Sequence, residues 1–138
     1  MPVFSSSELL QSTLKTLFAR VGQDPQAAKS VVNSKLILRM RVTSPDTDVV
    51  VNGRRDPLQI TYGKTTLRPD LEIELKADAL HKILLGELRL SGAVAARQLI
   101  VRGPIHKSFV FEDIFHSAQA FYPSVLEEVG LDGYRKLS

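Results

Sequence analysis

The chain has 138 residues, of which 43% are hydrophobic and 24% are charged. This length and balance are typical of one globular domain, and they exclude a disordered chain or a pair of ordinary domains. No apolar run reaches the ~18–20 residues that a membrane-spanning helix needs, and the N-terminus lacks the basic and apolar regions of a signal peptide. The chain contains no cysteine, which excludes disulfides, thiol catalysis and cysteine-bound zinc. A cytoplasmic location is the natural default.

The net charge of +3 is small but unevenly distributed, with 10 Lys/Arg and 5 Asp/Glu in residues 1–69 against 8 and 10 in residues 70–138. A basic half could meet nucleic acid or an anionic membrane. Its cations alternate with apolar residues, however, which favours a solvated strand face. Base-stacking aromatics would be expected on strand faces, but here the aromatic residues crowd the C-terminal helical region. We therefore predict no nucleic-acid partner.

The first 33 residues are predicted to form two helices. Ser5 and Glu8 have the spacing of a capping box, and apolar residues then recur at helical spacing as far as Gly22. Asp24 and Pro25 are typical of a second helix start, as N-cap and first helical residue.

From residue 34 the apolar spacing changes to the two-residue period of strands. Turn residues at Ser44-Pro45-Asp46 and Asn52-Gly53 favour an antiparallel meander of the first three strands. Five strands are predicted in all: Ser34–Val42, Thr47–Val51, Leu58–Tyr62, Leu71–Lys76 and Gln98–Arg102.

Helical spacing returns between and after the last two strands. Asp78–Gly86 is predicted to be a helix, and Leu88–Ala96 a loop with a short helical turn. Apolar residues recur at helical spacing from Phe111 to Tyr122, and Pro123 is expected to start a final, separate turn. Because only one face of each strand is apolar, the element order predicts an α+β domain in which helices cover one side of a single sheet.

Three histidines are the candidate metal-binding or acid–base residues: His81, His106 and His116. Asp78 precedes His81, and Glu112 and Asp113 precede His116, at spacings that share a helix face. A di-metal site would also need bridging glutamates on two further helices, and these are missing. Surface histidines and first-turn acids are the favoured interpretation. The sequence therefore predicts no catalytic residue, no metal and no cofactor.

Three stretches follow one another in an order and spacing that resemble the sterol carrier protein 2 (SCP-2) family of lipid-binding domains. They are the Asn52-Gly53 hairpin ending at Tyr62-Gly63, the strand and helix from Pro69 to Leu88, and the late strand from Gln98 to Gly103. The chain departs from the family at Arg97-Gln98, where a glycine is common, and at Pro104, where an acid is common.

The resemblance implies a five-stranded mixed sheet with helices over one face, enclosing an apolar tunnel for a fatty acyl, sterol or similar ligand. The two predicted N-terminal helices, residues 1–33, are an addition to the family pattern. They are expected to pack on an SCP-2-like lipid-binding domain, residues 34–138, and to form one domain with it. Pattern alone favours a solid core instead, because most protein interiors are close-packed. The residues that the family places between sheet and helices are the predicted ligand-binding residues: Leu75, Leu80, Ile83, Leu84, Leu88, Phe111, Phe115 and Phe121.

Two functions follow as expectations. The first is non-enzymatic binding or carriage of an apolar small molecule or lipid in the interior, by a monomer or a homodimer. The alternative is an accessory interaction module for an enzyme of lipid or quinone metabolism, without free ligand transfer. A transient contact with a membrane surface stays open, with Arg39, Arg41, Arg54 and Arg55 as the basic residues that could make it.

Overall fold

A computed structural model describes residues 3–131 of the chain. Within that range the α-helices are α1 Ser7–Val21, α2 Pro25–Ser34, α3 Ala77–Leu84, α4 Leu90–Ala95 and α5 Phe109–Glu128. The strands are β1 Ile37–Thr43, β2 Thr47–Asn52, β3 Gln59–Tyr62, β4 Leu71–Lys76 and β5 Leu99–Arg102, and a 3₁₀ turn at Ile105–Lys107 precedes α5. The predicted α+β class is confirmed.

The strands form one mixed sheet in the order β3-β2-β1-β4-β5. β1 and β4 are parallel, whereas the other neighbouring pairs are antiparallel. The meander of the first three strands and the five-stranded mixed sheet are therefore confirmed. In the central pair Met40 lies beside Ile73 and Val42 beside Leu75, which brings the apolar residues of both strands onto one face.

The helices of residues 3–131 pack against that apolar face. Phe18 of α1 and Phe115 of α5 meet the side chains of Leu38 and Met40 there, and all four are at most 4% exposed. Removing this apolar surface from water is the main force that holds helices on sheet.

The opposite face carries charges. Arg39 of β1 contacts Asp48 of β2 at 2.9 Å and Glu72 of β4 at 3.3 Å, and Arg102 of β5 contacts Glu72 at 3.3 Å. The aliphatic stems of lysine and arginine can cover apolar atoms while their charges stay in water. The outer face of the sheet therefore accounts for the charged residues that alternate with apolar ones along the strands.

Several predicted element starts differ from the structure: those of α3, β3 and β5 by one residue each, and those of α1 and β1 as follows. The N-cap of α1 is Ser6, whose hydroxyl accepts the Leu9 N–H at 3.1 Å, and not Ser5. Consecutive serines offer similar caps, and the buried apolar face of the helix decides between them. β1 begins at Ile37 and not at Ser34, because α2 continues to Ser34 and ends at Lys35 in the left-handed conformation, with φ 56°. The Asp24 cap and the first-turn Pro25 of α2 are confirmed.

The C-terminal helix is longer than predicted. Pro123 lies inside α5 and does not start a separate turn. A proline inside a helix removes one backbone hydrogen bond and costs ~3 kcal/mol or more. Tyr122, Val125 and Leu126, all fully buried, flank the proline, so tertiary packing outweighs that penalty. The predicted loop after Leu88 likewise contains the regular helix α4, which buries Ala93. The division of the chain at residue 33 stays a prediction.

Candidate ligand-binding interior and surface cleft

Two small apolar voids lie between the sheet and the helices. The first, of about 10 Å³, is lined by side chains of β1, β2, α1 and α5: Phe18, Leu38, Met40, Val49, Val51, Phe111, Ile114 and Phe115. The second, also about 10 Å³, lies toward β3 and α2 and shares Phe18, Val51 and Ile114 with the first. Each is about the size of one water molecule, whereas small-molecule pockets occupy ~300–1,000 Å³. Side chains fill this interior in the conformation described.

The predicted ligand-binding residues fall into three groups. Phe111 and Phe115 line the first void. Leu80, Ile83 and Leu84 are at most 1% exposed on the inner side of α3. Of the remaining three, Leu75, 2% exposed, lies on the inner face of the sheet and also lines a surface cleft. Leu88 and Phe121 are half-buried against the core. Their contact with a ligand stays a prediction.

Sequence reasoning missed several residues that line the first void, among them Phe18, Met40 and Val49. All three occupy apolar positions of predicted elements, so their burial could be expected. Which buried positions surround a void depends on how α1 and α5 cross the sheet, and the periodicity of single elements does not contain that information.

The core contains a polar pair that the sequence did not indicate. His81 of α3 is fully buried, and its Nδ1 lies 2.6 Å from the hydroxyl of Tyr122 on α5. The Phe4 ring meets the imidazole edge-on, at 6.1 Å between centroids. Burial raises the pKa of Tyr122 above its usual range. The prediction of a surface histidine at this position is wrong, because α3 turns His81 toward α5 together with Leu80 and Leu84.

The acidic residues considered as metal ligands have other roles. Asp78 accepts the backbone N–H of Val3 at 3.4 Å, and Asp113 accepts the Ser30 hydroxyl at 2.5 Å. Among residues 3–131, no three histidine or acidic side chains are grouped so that they could hold a metal ion.

Asp24 both caps α2 and joins it to α5. Its carboxylate accepts the Ser117 hydroxyl at 2.6 Å and the backbone N–H of Gln26 at 3.1 Å. The hydrogen bond from Ser117 is the main cause that lowers the pKa of Asp24.

Three of the four arginines considered for a membrane contact form ion pairs with carboxylates of the protein itself. Arg39 and Arg41 contact carboxylates on the outer sheet face, and Arg54 contacts both oxygens of Asp70 at 2.8 Å. Exposed ion pairs of this kind reduce the charge available to an outside partner.

A surface cleft of about 430 Å³ opens beside the end of β4. Its walls come from the ends of β1 and β4, the first turns of α3, the two residues before β5 and β5 itself: Thr43, Glu74, Leu75, Lys76, Asp78, Ala79, Lys82, Arg97, Gln98 and Ile100. Leu75 is the one predicted ligand-binding residue among them. The cleft joins segments that are far apart in the chain, and no local motif signals it.

A sheet of this order, with an apolar face under α1 and α5, is a known architecture. The sequence model of the SCP-2 sterol transfer family matches residues 14–116, which is most of the chain. The protein belongs to the SCP-2 sterol transfer family. The resemblance in the sequence is thereby confirmed.

Solved structures of other SCP-2 proteins share the fold. Apo sterol carrier protein 2 of Yarrowia lipolytica is 16% identical, with a TM-score of 0.65 over 83% of this chain and 96% of that one. The palmitated SCP2L2 of Aedes aegypti is 16% identical, with a TM-score of 0.56 over 77% and 93%. The ubiquinone synthesis protein UbiJ-SCP2 is 18% identical, with a TM-score of 0.57 over 85% and 94%. No curated protein matches the chain in sequence.

The helices within residues 3–131 are each too short or too polar to cross a bilayer.

Proposed function

We propose that this SCP-2 family protein binds and carries an apolar ligand, a fatty acyl or sterol-like molecule, between its sheet and helices, without catalysing a reaction. One observation carries the proposal: the apolar side chains of β1 and β2 face those of α1 and α5 across a void with an entirely apolar lining. A ligand there would be stabilised by roughly 25 cal/mol for each Å² of its apolar surface removed from water, before entropic costs. The palmitated relative of Aedes aegypti supports an acyl chain as the ligand.

Ligand entry requires the interior to expand. The voids of about 10 Å³ must grow to the ~300 Å³ or more of a small-molecule site. Phe111 and Phe115 stand on α5 above β1 and β2, so a small outward shift of the first half of α5 would enlarge the first void. A bound ligand would hold that conformation, because a ligand shifts a population toward the state that binds it better.

Uptake of a fluorescent fatty acid by purified protein tests the proposal. Val49→Phe places a ring in the first void from the inner sheet face, and Thr61→Phe places the same ring on the exposed outer face of the neighbouring strand. We expect Val49→Phe to weaken uptake at least about tenfold and Thr61→Phe to leave it unchanged. Equal uptake by a folded Val49→Phe variant would exclude the interior as the binding site. Native mass spectrometry of freshly purified protein should also detect a co-purified acyl chain.

A second candidate function is that of an accessory module for an enzyme of lipid or quinone metabolism, which presents a ligand without releasing it freely. The structural similarity to the ubiquinone synthesis protein UbiJ-SCP2 supports it. Transfer of the fluorescent fatty acid from the protein to acceptor vesicles separates the two functions. Rapid transfer supports the carrier, and retention of a bound ligand supports the module. Both functions are compatible with a cytoplasmic location and with transient contact with a membrane.

A further inference from the structure

The surface cleft beside β4 has an excess of positive charge. Lys76, Lys82 and Arg97 are all exposed around it, and none of their side chains has a hydrogen bond or ion pair within residues 3–131. Three cations that share a cleft and form no ion pair repel one another. An anion bound between them would remove that repulsion.

The two acids of the cleft do not provide this anion. Glu74 is already contacted by two arginines outside the lining, Arg41 at 3.8 Å and Arg102 at 3.4 Å. Asp78 accepts the backbone N–H of Val3 and offsets one cation. Within the lining, three positive charges therefore stand against two negative charges.

The floor of the cleft is apolar and adjoins the interior. Leu75 is 2% exposed and lies between Val42 and Leu99 on the inner face of the sheet. Ala79 of α3 extends this apolar surface. Ile100, 44% exposed, pairs with Glu74 and adds a separate apolar side chain to the cleft from the outer face of the sheet. The cleft thus pairs a cationic rim with an apolar floor, an arrangement suited to a ligand with a charged head and an apolar chain.

Arg97 holds its place at the rim in an unfavourable backbone conformation. Its φ of 59° lies in the left-handed region, which favours glycine. Replacement by glycine would therefore remove the charge and relieve the backbone together. A loss of ligand binding in such a variant could not be attributed to a weakened fold.

We propose that this cleft binds the carboxylate head group of an acyl ligand, with Lys76, Lys82 and Arg97 around the carboxylate and the acyl chain directed over Leu75 toward the interior. The inference rests on the proposed function, because the chain must find room between sheet and helices. Ammonium and guanidinium groups form short, charge-assisted hydrogen bonds with carboxylates. They would favour an acid over the corresponding alcohol.

A second basic cleft provides a matched control. It has a volume of about 460 Å³ at the opposite end of the sheet and is lined by Val32, Lys35, Gly53, Arg54, Arg55 and Asp56. Lys35 also has a left-handed backbone, with φ 56°. Arg54 forms an ion pair with Asp70. Val32 is the one apolar side chain in the lining of this cleft. The double variants Lys82→Ala/Arg97→Gly and Lys35→Gly/Arg55→Ala each remove two cations and place one glycine at a left-handed position.

Isothermal titration calorimetry of the wild type and both double variants, with dodecanoate, dodecanol and butanoate as ligands, tests the proposal. We expect the wild type to bind dodecanoate about tenfold more tightly than dodecanol, as charge-assisted hydrogen bonds imply. Lys82→Ala/Arg97→Gly should abolish this preference and leave dodecanol binding unchanged. The control variant should keep the preference, and butanoate should bind at least about tenfold more weakly than dodecanoate.

The other outcomes overturn the proposal in distinguishable ways. Equal binding of acid and alcohol by the wild type would refute the head-group site and leave the proposed function standing. An equal loss of dodecanoate binding in both double variants would show a general charge effect. Butanoate as tight as dodecanoate would make the cleft a site for free small carboxylates. If the wild type bound neither dodecanoate nor dodecanol, the proposed function would fail together with this inference.

Discussion

Tyr122→Phe removes the hydroxyl group that lies 2.6 Å from Nδ1 of His81 and leaves the aromatic ring in place. Both residues are fully buried, so water cannot replace the lost partner of the imidazole nitrogen. A buried polar group that loses its partner costs about 1–3 kcal/mol, and we expect a decrease of about 2 kcal/mol in the free energy of unfolding.

The corresponding change in melting temperature follows from the size of the chain. An unfolding entropy of about 2.1 cal/mol/K per residue gives roughly 0.29 kcal/mol/K for 138 residues. The expected loss therefore lowers the melting temperature by about 7 °C, measured by calorimetry or circular dichroism.

Tyr62→Phe is the matched control. Burial raises the pKa of Tyr62 to about 12, but within residues 3–131 its hydroxyl has no hydrogen bond. Its loss should change the free energy of unfolding by less than about 0.5 kcal/mol. Equal shifts for the two variants would refute the argument that the pair with His81 stabilises the packing of α3 on α5.

Three further predictions follow from contacts away from the interior. Gly103→Ala should destabilise the protein by about 3 kcal/mol or more in urea unfolding, because its new Cβ would lie 2.5 Å from the Asp70 carbonyl oxygen at a φ of 113°. The control Gly86→Ala, at a φ of 77° with open space around it, should cost only about 1 kcal/mol. Similar losses of stability in the two variants would contradict the close approach of Gly103 to Asp70. Ser117→Ala should raise the pKa of Asp24 toward its usual value in an NMR titration, because the Ser117 hydroxyl is the main cause of the lowered pKa. A carboxylate with a lowered pKa stabilises the fold at pH values above its pKa in the unfolded chain, and this stability is lost as the pH falls through its pKa in the folded protein. The variant should therefore lose less stability on acidification. Arg54→Ala should lower the free energy of unfolding by less than about 1 kcal/mol, and by less still in high salt, because its ion pair with Asp70 is largely exposed. A larger loss that does not depend on salt would show a role beyond charge.

Much of the sheet was predictable because each strand has its own two-residue apolar period. Leu71, Ile73 and Leu75 were expected on one face of β4, and all three are at most 2% exposed. Element ends were less predictable. Neighbouring serines compete for the cap of α1, and burial of the residues around Pro123 outweighs the local cost of a proline in α5. Propensity describes single residues, whereas these outcomes depend on contacts between elements.

The candidate sites were only partly predictable for the same reason. Phe111 and Phe115 could be placed between helix and sheet from their spacing and the family resemblance. The buried position of His81 depends on the angle at which α3 meets α5. The cleft cations come from the end of β4, from α3 and from Arg97, two residues before β5, so their proximity arises only when β5 pairs with β4.

The order of the strands in the sheet has a consequence for the motions of the protein. The strands β1, β2 and β4 are hydrogen-bonded on both sides, whereas β3 and β5 have one neighbour each and lie at the edges of the sheet. Backbone amides at an edge open at lower free energy than those in the centre. In amide hydrogen exchange, β1, β2 and β4 should therefore exchange more slowly than β3 and β5. The β5 edge, which bears one wall of the cationic cleft, should open without the centre of the sheet opening with it.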